Sequence, residues 1–136
     1  AIQAFAKEGE GVIVQTPVYS PFFHSVTHLG RKVLKNPLMQ KEDGSFTFDI
    51  EDLKSKIDKG TKLLLLCSPH NPVGRVWKRE ELEAILKVCL EHNIVVFADE
   101  IHSDLVYAPN KHIPLASLNE KAKEITITAI GVGKTF

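Results

Sequence analysis

The chain has 136 residues, 43% hydrophobic and 25% charged, a globular composition long enough for one cored domain and too short for two ordinary ones. Lys plus Arg and Asp plus Glu number 17 each, so the formal net charge is zero, which leaves no electrostatic footprint for nucleic acid or an anionic membrane. No apolar run is long enough to span a bilayer, and no signal-peptide pattern stands at the start. The two cysteines, Cys67 and Cys89, have neither the count nor the spacing of a disulfide framework or a zinc site, so a soluble, reducing, cytoplasmic setting is the expectation.

The opening AIQAFAKEGEG predicts the tail of an amphipathic helix over residues 1–7, closed by Gly9 and Gly11. VIVQT at 12–16 is a short β-branched strand, left through Thr16-Pro17-Val18-Tyr19. Pro21 suits the first turn of a helix reaching about Leu29, with Gly30 as its C-cap. Residues 31–35 predict a strand, and 40–47 a polar loop turning at Asp43-Gly44. Asp49 is a good N-cap for a helix over 50–59, where Ile50, Leu53 and Ile57 keep helical spacing and Gly60 ends it.

Leu63 to Cys67 then runs without polar interruption and breaks into SPHNPVGRVW. Such a run, bounded by turn residues, suits a strand buried on both faces of a parallel sheet. Residues 79–93 are the clearest helix, with Leu82, Ile85, Leu86, Cys89 and Leu90 on one stripe. A strand over 94–98 ends at Asp99, a short helix is predicted over 101–106, a loop over 107–114, and a last strand over 125–130 runs into GVGKTF in a loop. Strands alternate with helices, so the fold class is α/β, with a mostly parallel sheet and helices on both faces. Both ends look cut, one in a helix tail and one in a loop just after a strand, so the chain is expected to be a piece of a larger protein, truncated at both ends.

Open α/β sheets bind ligands beyond the carboxyl ends of their strands. Four predicted exits present Tyr19, Asn71, Asp99 and Lys134 to that edge. Singly, each has a plain structural reading: a packing aromatic, a turn Asn between prolines, a helix cap, a solvated lysine. Together they match what a pyridoxal phosphate cofactor requires. A lysine amine holds its aldehyde, a carboxylate keeps its pyridine nitrogen protonated, a neutral amide donates to its phenolic oxygen, and an aromatic ring covers its face.

SPHNPVGRVW, ADEIHSDLVY and GKTF resemble the signatures of the class I/II aminotransferase-like, fold type I pyridoxal-phosphate enzymes, and the resemblance runs through the whole chain. TPVYSPF, HNPVGRVW and above all DEIH resemble the cystathionine β-lyase-like C–S lyase branch, because the commoner aminotransferase pattern has Tyr where His102 stands. The resemblance implies that Lys134 is the Schiff-base lysine and catalytic base. It further implies that Asp99 partners the pyridine nitrogen, Asn71 bonds the phenolic oxygen, Tyr19 stacks on the ring and His102 sits beside that oxygen. A helix-face His satisfied by backbone is the other reading of His102. The expected reaction is C–S β-elimination from cystathionine- or cysteine-type amino acids, giving thiol, pyruvate and ammonia; amino transfer is the alternative.

On the same resemblance, residues 1–136 are the central part of the cofactor-binding large domain. An N-terminal segment and a C-terminal small domain with the substrate-carboxylate arginine lie outside it, the whole enzyme is a homodimer, and the isolated piece is inactive. Arg75 does not match that arginine and reads as structural. There is one departure. Family members usually carry a Ser at one or both of the positions one and three before the lysine, where this chain has Gly133 and Gly131, leaving backbone N–H groups to cradle phosphate.

Two rivals fail on spacing. GVGKT after a strand resembles a nucleotide-binding loop, but the GxxxxGK[ST] pattern needs glycine at position 128, where Thr128 stands. The acidic strand ending at Asp99 also precedes that element, opposite to the usual order. His24 and His28 lie four apart on a predicted helix, but no third ligand has zinc spacing, so no metal is expected.

Overall fold

The computed structural model describes residues 1–135; Phe136, the last residue of the GKTF motif, lies outside them. In chain order the elements are α1 (Ile2–Phe5), β1 (Gly11–Thr16), α2 (Pro21–His28), β2 (Lys32–Pro37), β3 (Met39–Gln40), β4 (Phe46–Thr47), α3 (Ile50–Lys56) and β5 (Thr61–Cys67). They continue with α4 (Arg79–Glu91), β6 (Val95–Asp99), a 3₁₀ turn at Leu115–Ser117, α5 (Glu120–Ile125), β7 (Thr126–Ala129) and α6 (Val132–Thr135). The main sheet has five strands in the order β2-β1-β5-β6-β7, and every pairing in it is parallel.

Side-chain alternation along the strands makes the sheet two-sided. Ile13, Leu64, Leu66, Val96 and Ala98 face α3, α4 and α5, where Leu53, Leu82, Ile85, Cys89 and Ala122 meet them around Trp77. Val12, Val14, Leu63, Leu65 and Cys67 face the other way, onto Ala6 beside α1 and onto Phe22 and Val26 of α2. The central strand is therefore apolar on both faces, which is why Leu63 to Cys67 carries no polar break. Burial pushes the two core thiols up, Cys67 to about 11 and Cys89 to about 12, so both stay protonated and inert.

The helix signals act as expected at several ends. Asp49 Oδ1 accepts from the Asp52 N–H at 2.9 Å and caps α3. Glu81 Oε2 accepts from the Lys78 N–H at 2.9 Å at the start of α4. Asn93, at φ +54°, closes α4 as the Ile94 N–H returns to the Cys89 carbonyl at 2.8 Å.

The structure corrects three local expectations and adds one helix. Residues 101–106 are not a helix but successive turns, closed by Ser103 N–H to Glu100 O and Leu105 N–H to His102 O, each 2.9 Å. The polar 40–47 loop is a hairpin whose strands, β3 and β4, pair Met39 with Thr47 and Gln40 with Phe46. The segment before the last strand is helical: Asn119 caps α5 by accepting from the Ala122 N–H at 2.9 Å. GVGKT does not stay a loop, since Val132–Thr135 forms one helical turn.

Candidate functional site at the carboxyl edge of the sheet

The chain passes from β1 to β2 on one side and then crosses to β5 on the other, so the order reverses at β1. A crevice at such a switch point is where open parallel sheets take ligands. The exits of β1, β5, β6 and β7 stand side by side in this order. At about 4.8 Å per strand they span roughly 14 Å of one edge.

Backbone bonds tie neighbouring exits together. The Tyr19 N–H donates to the Asn71 carbonyl at 3.0 Å, joining the β1 and β5 loops. The Ser68 N–H donates to the Asp99 carbonyl at 2.9 Å, and the Glu100 N–H to the Ala129 carbonyl at 2.9 Å. Tyr19, Asn71 and Asp99 are thus carried on one hydrogen-bonded rim.

The loop after β5 is built around Trp77, which is 1% exposed. Its Nε1–H donates to the Cys67 carbonyl at 2.9 Å, and its ring lies 3.9 Å from that of Phe48. Gly74, at φ +68°, lets the chain double back so that the His70 N–H reaches the Arg75 carbonyl at 2.8 Å. Arg75 faces away from the crevice: its Nε donates to the Phe46 carbonyl at 2.6 Å, its Nη2 to both oxygens of Glu81 at 2.6 Å, and its guanidinium covers Trp77. Burial would raise the Glu81 carboxyl, but the Lys78 N–H, Arg75 and Thr47 outweigh it and hold it below the usual range. Arg75 is structural, as its sequence position implied.

The side chains divide between two clefts. Tyr19 and Asp99 line one of about 370 Å³, with Phe22, Leu65 and Phe97 as apolar walls. Asn71 and His102 line a second of about 340 Å³, closed by Pro72, Leu105, Tyr107 and Asn110. Lys134, exposed on α6, lines neither. Asp99 uses Oδ1 to accept from the Ile101 N–H at 3.2 Å. The Tyr19 hydroxyl, the Asn71 amide, the His102 ring and the Lys134 amine make no side-chain hydrogen bond among the described residues.

Two residues of this edge escape sequence reasoning. Glu100 is 2% exposed; its Oε2 pairs with His112 Nε2 at 2.9 Å and its Oε1 accepts from the Leu115 N–H at 3.0 Å. That clasp folds the 101–114 segment back beside His102. His70 is 1% exposed, and burial pushes its imidazole below the usual value. An Asp-Glu pair at a strand end and a His before Asn-Pro were visible signals, but neither announces its distant partner. His24 and His28 share an open surface hollow, and no cluster of metal-binding side chains occurs among the described residues. No helix among them is long and apolar enough to cross a membrane.

A family model described as aminotransferase class I and II matches residues 1–136. Cystathionine beta-lyase PatB of Bacillus subtilis (strain 168) is 48% identical over 137 residues, covering 100% of this chain and 35% of its own length. Kynurenine–oxoglutarate transaminase 3 of Rattus norvegicus is 37% identical over 143 residues, with 100% and 31% covered. Among solved structures, cystalysin from Treponema denticola, which contains a pyridoxal 5'-phosphate cofactor, superposes with a TM-score of 0.95 at 42% identity over 99% of this chain and 34% of its own. The chain spans about a third of the length of these relatives.

Proposed function

The chain belongs to the class I and II aminotransferase family, and on that premise we propose that it forms part of a pyridoxal-phosphate enzyme that eliminates thiols from cystathionine- or cysteine-type amino acids. The observation that carries the reading is the donor set on one sheet edge. A carboxylate with one oxygen uncommitted, an amide, a phenol ring and an amine stand at four adjacent exits, with side-chain groups left for a ligand. That set fits the cofactor chemically: one anionic partner for a pyridinium, one neutral donor for a phenolate, one amine for an aldehyde. The identity with a cystathionine beta-lyase over the full chain supports the lyase form.

When bound, the cofactor ring supplies a sink for the electron pair left on the substrate Cα. Asp99 holds the proton on the pyridine nitrogen, the Asn71 amide donates to the phenolic oxygen, and the Tyr19 ring covers one face. His102, in the cleft with Asn71, adds a second polar contact at that oxygen. The Lys134 amine would hold the cofactor through its aldehyde and would serve as the base that takes the proton from the substrate Cα. The C–S bond breaks with its electron pair on sulfur, which leaves as thiol after taking a proton. The three-carbon remainder is hydrolysed to pyruvate and ammonia. In amino transfer, favoured by the kynurenine transaminase at 37% identity, Lys134 would serve as the same proton carrier while the C–S bond stays intact.

The test uses the full-length protein. With added pyridoxal phosphate it is expected to develop a visible absorption band that Lys134→Ala abolishes, and to release pyruvate from L-cystathionine without a keto acid. Absence of the band from the wild type overturns the cofactor reading. Keto-acid-dependent amino transfer without pyruvate overturns the lyase in favour of the transaminase.

The two glycines before Lys134 are not equivalent. A Cβ on Gly133 would meet nothing within 4 Å, whereas one on Gly131 would lie 3.1 Å from Ile101 Cδ1. Gly133→Ser is therefore expected to tighten cofactor binding by about tenfold, the gain of one hydrogen bond to a charged group. Gly131→Ser is expected to gain less, because Ile101 must shift. Fluorescence titration of the full-length apoenzyme with pyridoxal phosphate measures both.

A further inference from the structure

The ladder between β1 and β5 stops early. Its last paired residues are Val14 and Leu65, so no strand hydrogen bonds hold the two exits that carry Tyr19 and Asn71. The loops beyond are also short of donors, because Pro17, Pro69 and Pro72 have no N–H. One side chain makes good that shortage. His70 Nε2 lies 2.8 Å from the Pro17 carbonyl, 53 residues away in sequence.

That carbonyl can only accept, so Nε2 carries the hydrogen, as it does in the neutral Nε2–H tautomer. Burial favours the same neutral form. The ring is 1% exposed and stands edge-on to Trp77, 5.4 Å between centroids at 81°. Trp77 is in turn fixed to the Cys67 carbonyl at the end of β5. His70 is thus braced on one side by the strand it follows and bonded on the other to the neighbouring exit. Two residues past Pro17 and one past His70, the Tyr19 N–H to Asn71 carbonyl bond forms on the spacing that this contact sets.

We propose that His70 is a positioning residue, a buried strut that holds the β1 exit at a fixed distance from the β5 exit and so fixes the backbone of Tyr19 relative to that of Asn71. The proposal deepens the cofactor reading above and rests on it. Its consequence is specific: loss of the strut loosens the two groups proposed to contact the cofactor ring and its phenolic oxygen, while the lysine and Asp99 stay in place.

The test compares His70→Gln with His70→Asn in the full-length enzyme. The Gln amide extends to the place of Nε2 and can donate to the Pro17 carbonyl; the Asn amide is one methylene too short. Three readouts are taken: the pyridoxal phosphate dissociation constant, the pH midpoint of the visible band, and hydrogen exchange at the Tyr19 amide without cofactor. Asn is expected to weaken cofactor binding by roughly tenfold, the effect of a buried acceptor left unsatisfied, with a displaced pH midpoint and faster Tyr19 exchange. Gln is expected to stay close to wild type on all three. Gln and Asn behaving alike, whether both intact or both equally impaired, overturns the strut. If the wild type itself takes up no cofactor, the reading of the site falls, and unchanged Tyr19 exchange in the Asn variant overturns the strut separately.

Discussion

Asp99→Asn in the cofactor-loaded, full-length enzyme is expected to lower turnover by about 10²–10³-fold, the scale of losing one preorganised electrostatic contact to a developing charge. The substitution is close to isosteric and spares the local structure. Asp99 Oδ1 accepts from the Ile101 N–H at 3.2 Å, and an Asn carbonyl oxygen can keep that bond. The backbone links from the Asp99 carbonyl to Ser68 and from Ala129 to Glu100 do not involve the side chain. What is lost is the negative charge, and with it the reason for a ring nitrogen to stay protonated. The visible band and the melting temperature should therefore survive while kcat on L-cystathionine falls. A variant turning over within about threefold of wild type, less than an ordinary hydrogen bond contributes, would show that Asp99 is no more than a turn cap.

The largest stability effect is expected one residue further on. The side chains of Glu100 and His112 are 3% and 9% exposed, and each Glu100 oxygen has one donor, His112 or the Leu115 N–H. His112→Ala leaves a buried carboxyl oxygen without its partner, at a cost of about 3–5 kcal/mol. Glu100→Gln keeps an acceptor for Leu115 and an amide facing His112, and should cost no more than about 1.5 kcal/mol. Urea unfolding of the full-length protein measures both, and hydrogen exchange over residues 101–114 should speed up in the Ala variant before global unfolding. Equal losses in the two variants would mean that the clasp contributes through packed volume rather than through its hydrogen bonds.

Glu100 also explains why 101–106 was misread as a helix. Ile101 and Leu105 have helical spacing, but the clasp to His112 and Leu115 bends the chain at once, and only i to i+3 turns form. Elements of a few residues were equally opaque. β3 and β4, two residues each, are too short to show alternation, and their pairing follows from the Asp43-Gly44 turn that was seen. Helix α5, with its Asn119 cap, was not read at all, because six residues do not establish a helical period. Arg75 was correctly set aside as structural, although its partner Glu81 was not foreseen, since an ion pair across a loop leaves no periodic trace.

The sequence by itself determined the α/β class, the parallel sheet, the positions of its five strands and the four exits with Tyr19, Asn71, Asp99 and Lys134. Each of these follows from local facts: two-sided burial forces unbroken apolar strands such as Leu63 to Cys67, and Pro and Gly mark where they end. Only the tertiary structure decided how the exits are held relative to one another. It put Tyr19 with Asp99 and Asn71 with His102 in separate clefts, and it supplied the His70–Pro17 and Glu100–His112 bonds that fasten the loops. Those bonds join residues made neighbours by strand order, which hydrophobic periodicity does not encode.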